Sequence, residues 1–161
     1  MICVMKRMFR VMVMVLLFFA ALPLCAQTPV EELIQKYESA DGARSFNAHG
    51  LSMALARKLI SSTPVAPIAS DVTEVAVLKM AAVQPSVQKH FVSDLDKVLD
   101  EGYKYYGKYP SKNGEVEVYV RYSGPQTVDE LVVYNPAIYS LNSLFGKFTS
   151  ESLMKIAQQA K

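Results

Sequence analysis

Two Ser-x-x-Lys spacings, Ser86 to Lys89 and Ser152 to Lys155, put a hydroxyl and an amine one helical turn apart. In serine acyl-transferases with this spacing the lysine can assist attack by the serine. With 14 serines and 11 lysines after residue 26, about one such match arises by chance, and the companion Ser-Asp-Asn and Lys-Thr-Gly elements are missing. His90 and Asp94, four apart, would share a helix face and could supply two metal ligands. His49 is the only other histidine and no His-Glu-x-x-His spacing occurs, so a surface pair is the simpler reading. Glu31-Glu32, Asp94 with Asp96, Asp100-Glu101, Glu115 with Glu117, and Asp129-Glu130 are expected on solvated faces or element ends, where a carboxyl is seldom tuned for acid catalysis. The residues thus nominate no catalytic group, no cofactor-binding residue and no metal ligand.

Tyrosine is the remaining chemistry-bearing type. Eight of the nine tyrosines lie between Tyr103 and Tyr139, where aromatic rings pair across strands while their hydroxyls stay wet. Packing is the default role. The sharper expectation is that Tyr106 or Tyr119, on a polar sheet face beside Lys104, Lys108 and Arg121, forms part of an amphipathic surface for a protein, peptide or glycan.

The chain that would position these residues is preceded by a leader. Lys6, Arg7 and Arg10 stand before an apolar run from Val11 to Leu22, and small residues follow at Cys25-Ala26. This is the order of a signal peptide, predicting cleavage between Ala26 and Gln27 and a single domain over residues 27–161. Val11 to Ala26 is 16 residues long and contains Pro23, short of the ~20 apolar residues a membrane anchor needs. Leu24 before Cys25 is bulky for a lipidation site, which leaves a lipid-anchored form as the second possibility. The absence of acidic residues before Glu31 argues against an ordinary buried helix.

Subtracting the leader changes the composition. The whole chain carries +2, but the mature residues hold 14 basic against 15 acidic side chains, a net −1. No basic stripe for nucleic acid remains. Both cysteines, Cys3 and Cys25, and five of eight methionines leave as well, which excludes thiol chemistry and a Met-rich binding surface. A cysteine-free exported domain fits a bacterial periplasm, with secretion also open.

The periodicity then predicts the elements. Val30, Leu33, Ile34 and Tyr37 mark a helix, with Thr28 as cap, Pro29 at the first position and Glu31 closing a capping box. Ala43 to Asn47 reads as a short strand. Leu51 to Ile60 reads as a helix with Leu51, Leu55 and Leu59 aligned and the whole well buried. A Pro-containing loop from Ser61 to Ser70 precedes a central strand, Val72 to Met80, and Ser86 to Glu101 is the clearest helix, with Val87, Phe91, Leu95, Val98 and Leu99 as its stripe. From Tyr103 the period becomes two, with turn signals at Asn113-Gly114, Ser123-Gly124-Pro125 and Asn135-Pro136, and a closing helix begins near Thr149 or Ser150. The expected fold is α+β: a mainly antiparallel sheet, its C-terminal part a four-strand meander, with helices packed on one face and the other face wet.

The leader ending Cys25-Ala26-Gln27, the segment Leu33-Ile34-Gln35-Lys36-Tyr37, the hairpin from Asn113 to Val120 and the ending Tyr139-Ser140-Leu141 through Gly146-Lys147-Phe148 into Leu153 together resemble a family of small exported Bacteroidetes-type proteins, domain of unknown function 4252. The resemblance lies in the order of elements. It implies export and a compact domain, and brings no catalytic residues, cofactor or named partner. The expectation is therefore a non-catalytic binding domain of the cell envelope, acting through an open sheet face or an edge strand. The alternative is an envelope hydrolase acting on peptide or glycan.

Overall fold

The computed structural model of the chain describes residues 27–159. The expected leader, its two cysteines and Ala26 lie outside them, and Gln27 is the first described residue. Helix α1 (Pro29–Tyr37) starts as its residues require: the Thr28 hydroxyl accepts from the Glu31 amide at 3.2 Å, and the Glu31 carboxylate accepts from the Thr28 amide at 2.7 Å. This satisfies two donors that an uncapped helix leaves open. Strand β1 (Arg44–His49), a 3₁₀ turn (Gly50–Ser52), helix α2 (Met53–Ile60) and a second 3₁₀ turn (Ala66–Asp71) lead to β2 (Val72–Lys79). Helix α3 (Pro85–Gly102) then carries the chain to β3 (Lys104–Ser111), β4 (Gly114–Tyr122), β5 (Val128–Asn135) and β6 (Ser140–Phe148), and α4 (Ser150–Gln159) closes the fold.

The six strands form one sheet in the order β1-β2-β6-β5-β4-β3, and every neighbouring pair is antiparallel. The meander is β3 to β6, as the turn signals predict. Gly114 supplies the positive φ, +102°, that the β3–β4 hairpin needs. Because β2 and β3 lie four strand spacings apart, about 19 Å, their connection must cross most of the sheet. The 18 residues of α3, about 27 Å of helix, make that crossing. Among the described residues no helix is long and apolar enough to cross a membrane.

Helices cover both faces of the sheet, which corrects the expectation of one packed face and one wet one. On the first face, Leu33 and Ile34 of α1 and Phe91, Leu95 and Leu99 of α3 meet Leu78, Val132 and Leu141. On the second, Met53, Ala56 and Ile60 of α2 and Leu153 and Ile156 of α4 meet Val75, Val118, Leu131 and Phe148. The alternation in β4 is real, but on its first face Glu117, Tyr119 and Arg121 are half-buried opposite Tyr134, Val132 and Glu130 of β5, and Glu115 is exposed. β5 shows the correction most plainly: from Glu130 to Asn135 every residue is buried, since the strand lies inside the sheet with a helical layer on each side.

A second correction concerns α2. Leu51 is 99% exposed, Leu55 61% and Leu59 60%, whereas Met53, Ala56 and Ile60 are buried. Apolar residues surround this helix on all sides, so the period sets no unique phase. The small Ala56 side chain lets the Met53–Ile60 side lie close to the sheet, and the leucine row turns to solvent.

Candidate functional site

The most deeply buried carboxyl among the described residues is Glu130, which sequence spacing places on a solvated face and the structure buries completely. Its Oε1 accepts from Ser143 Oγ at 2.6 Å and Thr28 Oγ1 at 3.1 Å; its Oε2 accepts from Tyr103 OH at 2.8 Å and Arg121 Nε at 3.0 Å. Burial drives its pKa upward, and these same four partners pull against that rise. Tyr103 is held strongly protonated by its own burial and by the facing carboxylate. The donors come from the α1 cap, the α3–β3 junction, β4 and β6. With both oxygens of the buried Glu130 satisfied, these bonds tie the elements together.

Arg121 is consumed by this network, since its Nη2 also reaches Asp129 Oδ2 at 2.9 Å. The surface expected from Tyr106, Tyr119 and Arg121 is not continuous. Tyr119 and Arg121 share the first face, where the Tyr119 hydroxyl donates to Glu117 at 3.1 Å and its ring meets Tyr105 edge-on at 5.4 Å. Tyr106 lies on the second face, stacked on Tyr109 with 6.5 Å between centroids. The cause is a bulge in β3 between Tyr105 and Gly107, which inserts one residue and reverses the alternation.

Three further nominated residues have structural partners. Asp94 accepts from Lys36 Nζ and Tyr37 OH, each at 2.7 Å, joining α1 to α3. His90 Nδ1 contacts the Ser86 carbonyl at 2.8 Å one turn back. The Ser152 hydroxyl donates to Asp71 at 3.0 Å, turned to a carboxylate rather than to Lys155.

Several surface cavities have room for a small ligand, and the one lined mostly by apolar residues lies elsewhere. Between the C-terminal half of α2 and the second face of the sheet runs a groove of about 290 Å³, with Phe46, Leu59, Ile60, Val77, Val133 and Leu144 among its walls. Lys79 is the one ionisable side chain lining it. Phe46, 41% exposed, and Leu59 form its lip, and Leu55 and Leu51 extend the apolar surface along the outer side of α2. Such adjoining exposed apolar residues mark an interaction surface more often than a solvated one. The sequence carried a signal for it: the leucines recur every fourth residue, and no acidic residue occurs between Asp41 and Asp71. No family model, curated protein or solved structure matches this chain.

Proposed function

We propose that this chain is a non-catalytic binding domain of the bacterial cell envelope and that the groove beside α2 is its binding site. The observation that carries the reading is the apolar groove opening onto the exposed leucine row. A site of this kind gains affinity from apolar burial, at about 25 cal/mol per Å² of surface removed from water. Its walls offer no pair of titrating groups for general acid and base chemistry, and the buried Glu130 is locked among four partners. This supports binding over the hydrolase alternative. It also moves the site from the tyrosine face, where a glycan would fit, to an apolar one.

The test is titration with Nile red, a neutral fluorophore that brightens in apolar sites. The purified protein is expected to bind one dye, and Val77→Trp, which fills the groove, to abolish binding while the far-ultraviolet spectrum is kept. Dye binding unchanged by Val77→Trp and by a second wall substitution, Leu59→Asp, would falsify the groove as the site. Export rests on the leader and on the resemblance in element order. Intact mass of protein from an envelope fraction is expected to begin at Gln27; a lipid-modified Cys25 would make it an anchored protein, and retention of Met1 would refute export.

A further inference from the structure

The groove is apolar along its walls but cationic at one end. Lys79 closes β2 and lines the groove. Arg44, the first residue of β1, is its direct cross-strand partner, and Phe46 is likewise paired with Val77. Alternation puts Arg44, Phe46, Val77 and Lys79 on the same sheet face, the one under α2. Like charges directly opposite one another weaken a strand pair, so this placement is not one that folding alone favours. Both side chains are exposed, and neither forms an ion pair with any described residue. The segment from Gly42 to Ser70, which supplies β1, α2 and the outer wall, contains Arg44, Arg57 and Lys58 and no acid.

We propose that the groove binds a single-chain alkyl carboxylate, with the chain along Val77, Leu144 and Leu59 and the carboxylate between Arg44 and Lys79. The inference rests on the groove being the binding site and adds the ligand's chemistry. Two unpaired cations at the end of an apolar trough complement an anionic head on an apolar tail and disfavour a cationic amphiphile. At about 290 Å³ the groove lies at the bottom of the ~300–1,000 Å³ range of small-molecule sites, which suits one slender chain rather than a two-chain lipid. A planar carboxylate can accept two parallel bonds from a guanidinium, so Arg44 supplies orientation while Lys79 supplies charge.

Calorimetric titration of the purified protein with octanoate, decanoate and decanol separates the parts of this inference. Decanoate is expected to bind one per chain, roughly tenfold tighter than decanol. It is also expected to bind about fifteenfold tighter than octanoate, from the two added methylenes. In R44Q/K79Q, where both exchanged side chains are exposed, the advantage of decanoate over decanol is expected to vanish. Equal binding of decanoate and decanol, or a preference that survives R44Q/K79Q, overturns the carboxylate assignment. With Nile red still displaced by decanol, that result leaves the groove standing. If an apolar hexapeptide with a free C-terminus binds tighter than decanoate, the alkyl assignment is wrong and the head group is a peptide's. Failure of Nile red and of both amphiphiles removes the groove itself as a site.

Discussion

Glu130 is the residue on which most separate parts of the chain converge, because Thr28, Tyr103, Arg121 and Ser143 all donate to it. Replacing it by leucine leaves four donors facing an apolar group. Leaving buried partners of a charged group unmatched costs about 3–5 kcal/mol, so Glu130→Leu is expected to lower the urea midpoint correspondingly. Its ionisation sets a sign for pH. A carboxyl whose folded pKa is raised is bound more tightly to its proton in the folded state, so its contribution is complete below the unfolded value, about 4.3, and is lost as pH rises through the raised one. Asp94 acts oppositely: its hydrogen bonds to Lys36 and Tyr37 lower its pKa, and the stability it gives is lost as pH falls below about 4. Stability measured from pH 3 to 7 is expected to lose its decline on the alkaline side in Glu130→Gln and part of its acid-side decline in Asp94→Asn. An unchanged profile in either variant would remove that group from the account. The capping of α1 by Thr28 and Glu31 was legible in the sequence because all its atoms lie within four residues. The Glu130 network was not, since the donor Thr28 stands 102 residues away.

At the scale of the element, α2 separates two ways of assigning a helix face. If the leucines were its buried stripe, Leu55→Lys would be ruinous. The structure places Leu55 in solvent and Ile60 in the core. Leu55→Lys is therefore expected to change stability by under about 0.5 kcal/mol, and Ile60→Ala to cost about 2–5 kcal/mol. Thermal and urea unfolding of the two variants would decide the phase. The turn before β1 gives another local measure. Gly42 has φ +87°, and a Cβ there would collide with the Ala82 carbonyl, so Gly42→Ala is strained twice, by conformation and by contact. A loss of at least about 1 kcal/mol is expected from the left-handed conformation alone, read as a lowered unfolding midpoint. The bulge in β3 is an element-scale feature that the tyrosine spacing concealed. It moves Tyr106 to the face opposite Tyr119 and dissolves the surface their sequence positions suggested.

Across the whole molecule the sheet is a wall between two cores, and its inner strands are shielded by helices on both sides. β5 and β6 each have two strand neighbours and residues of both cores, whereas β1 and β3 each pair on one side only. Hydrogen exchange is expected to be slowest in β5 and β6 and faster along the outer amides of β1, since local opening spares the strands that would expose most apolar surface. Slowest exchange in β1 would contradict the strand order. The sequence by itself determined the α+β class, the antiparallel meander, the capped start of α1 and the long amphipathic α3, because caps, turns and periodicity act within a few residues. Only the tertiary structure decided that helices cover both faces, that Glu130 is buried, and that the leucines of α2 point outward beside an apolar groove. Those properties depend on which layer fills the space above each face, and that is set by residues far apart in the chain.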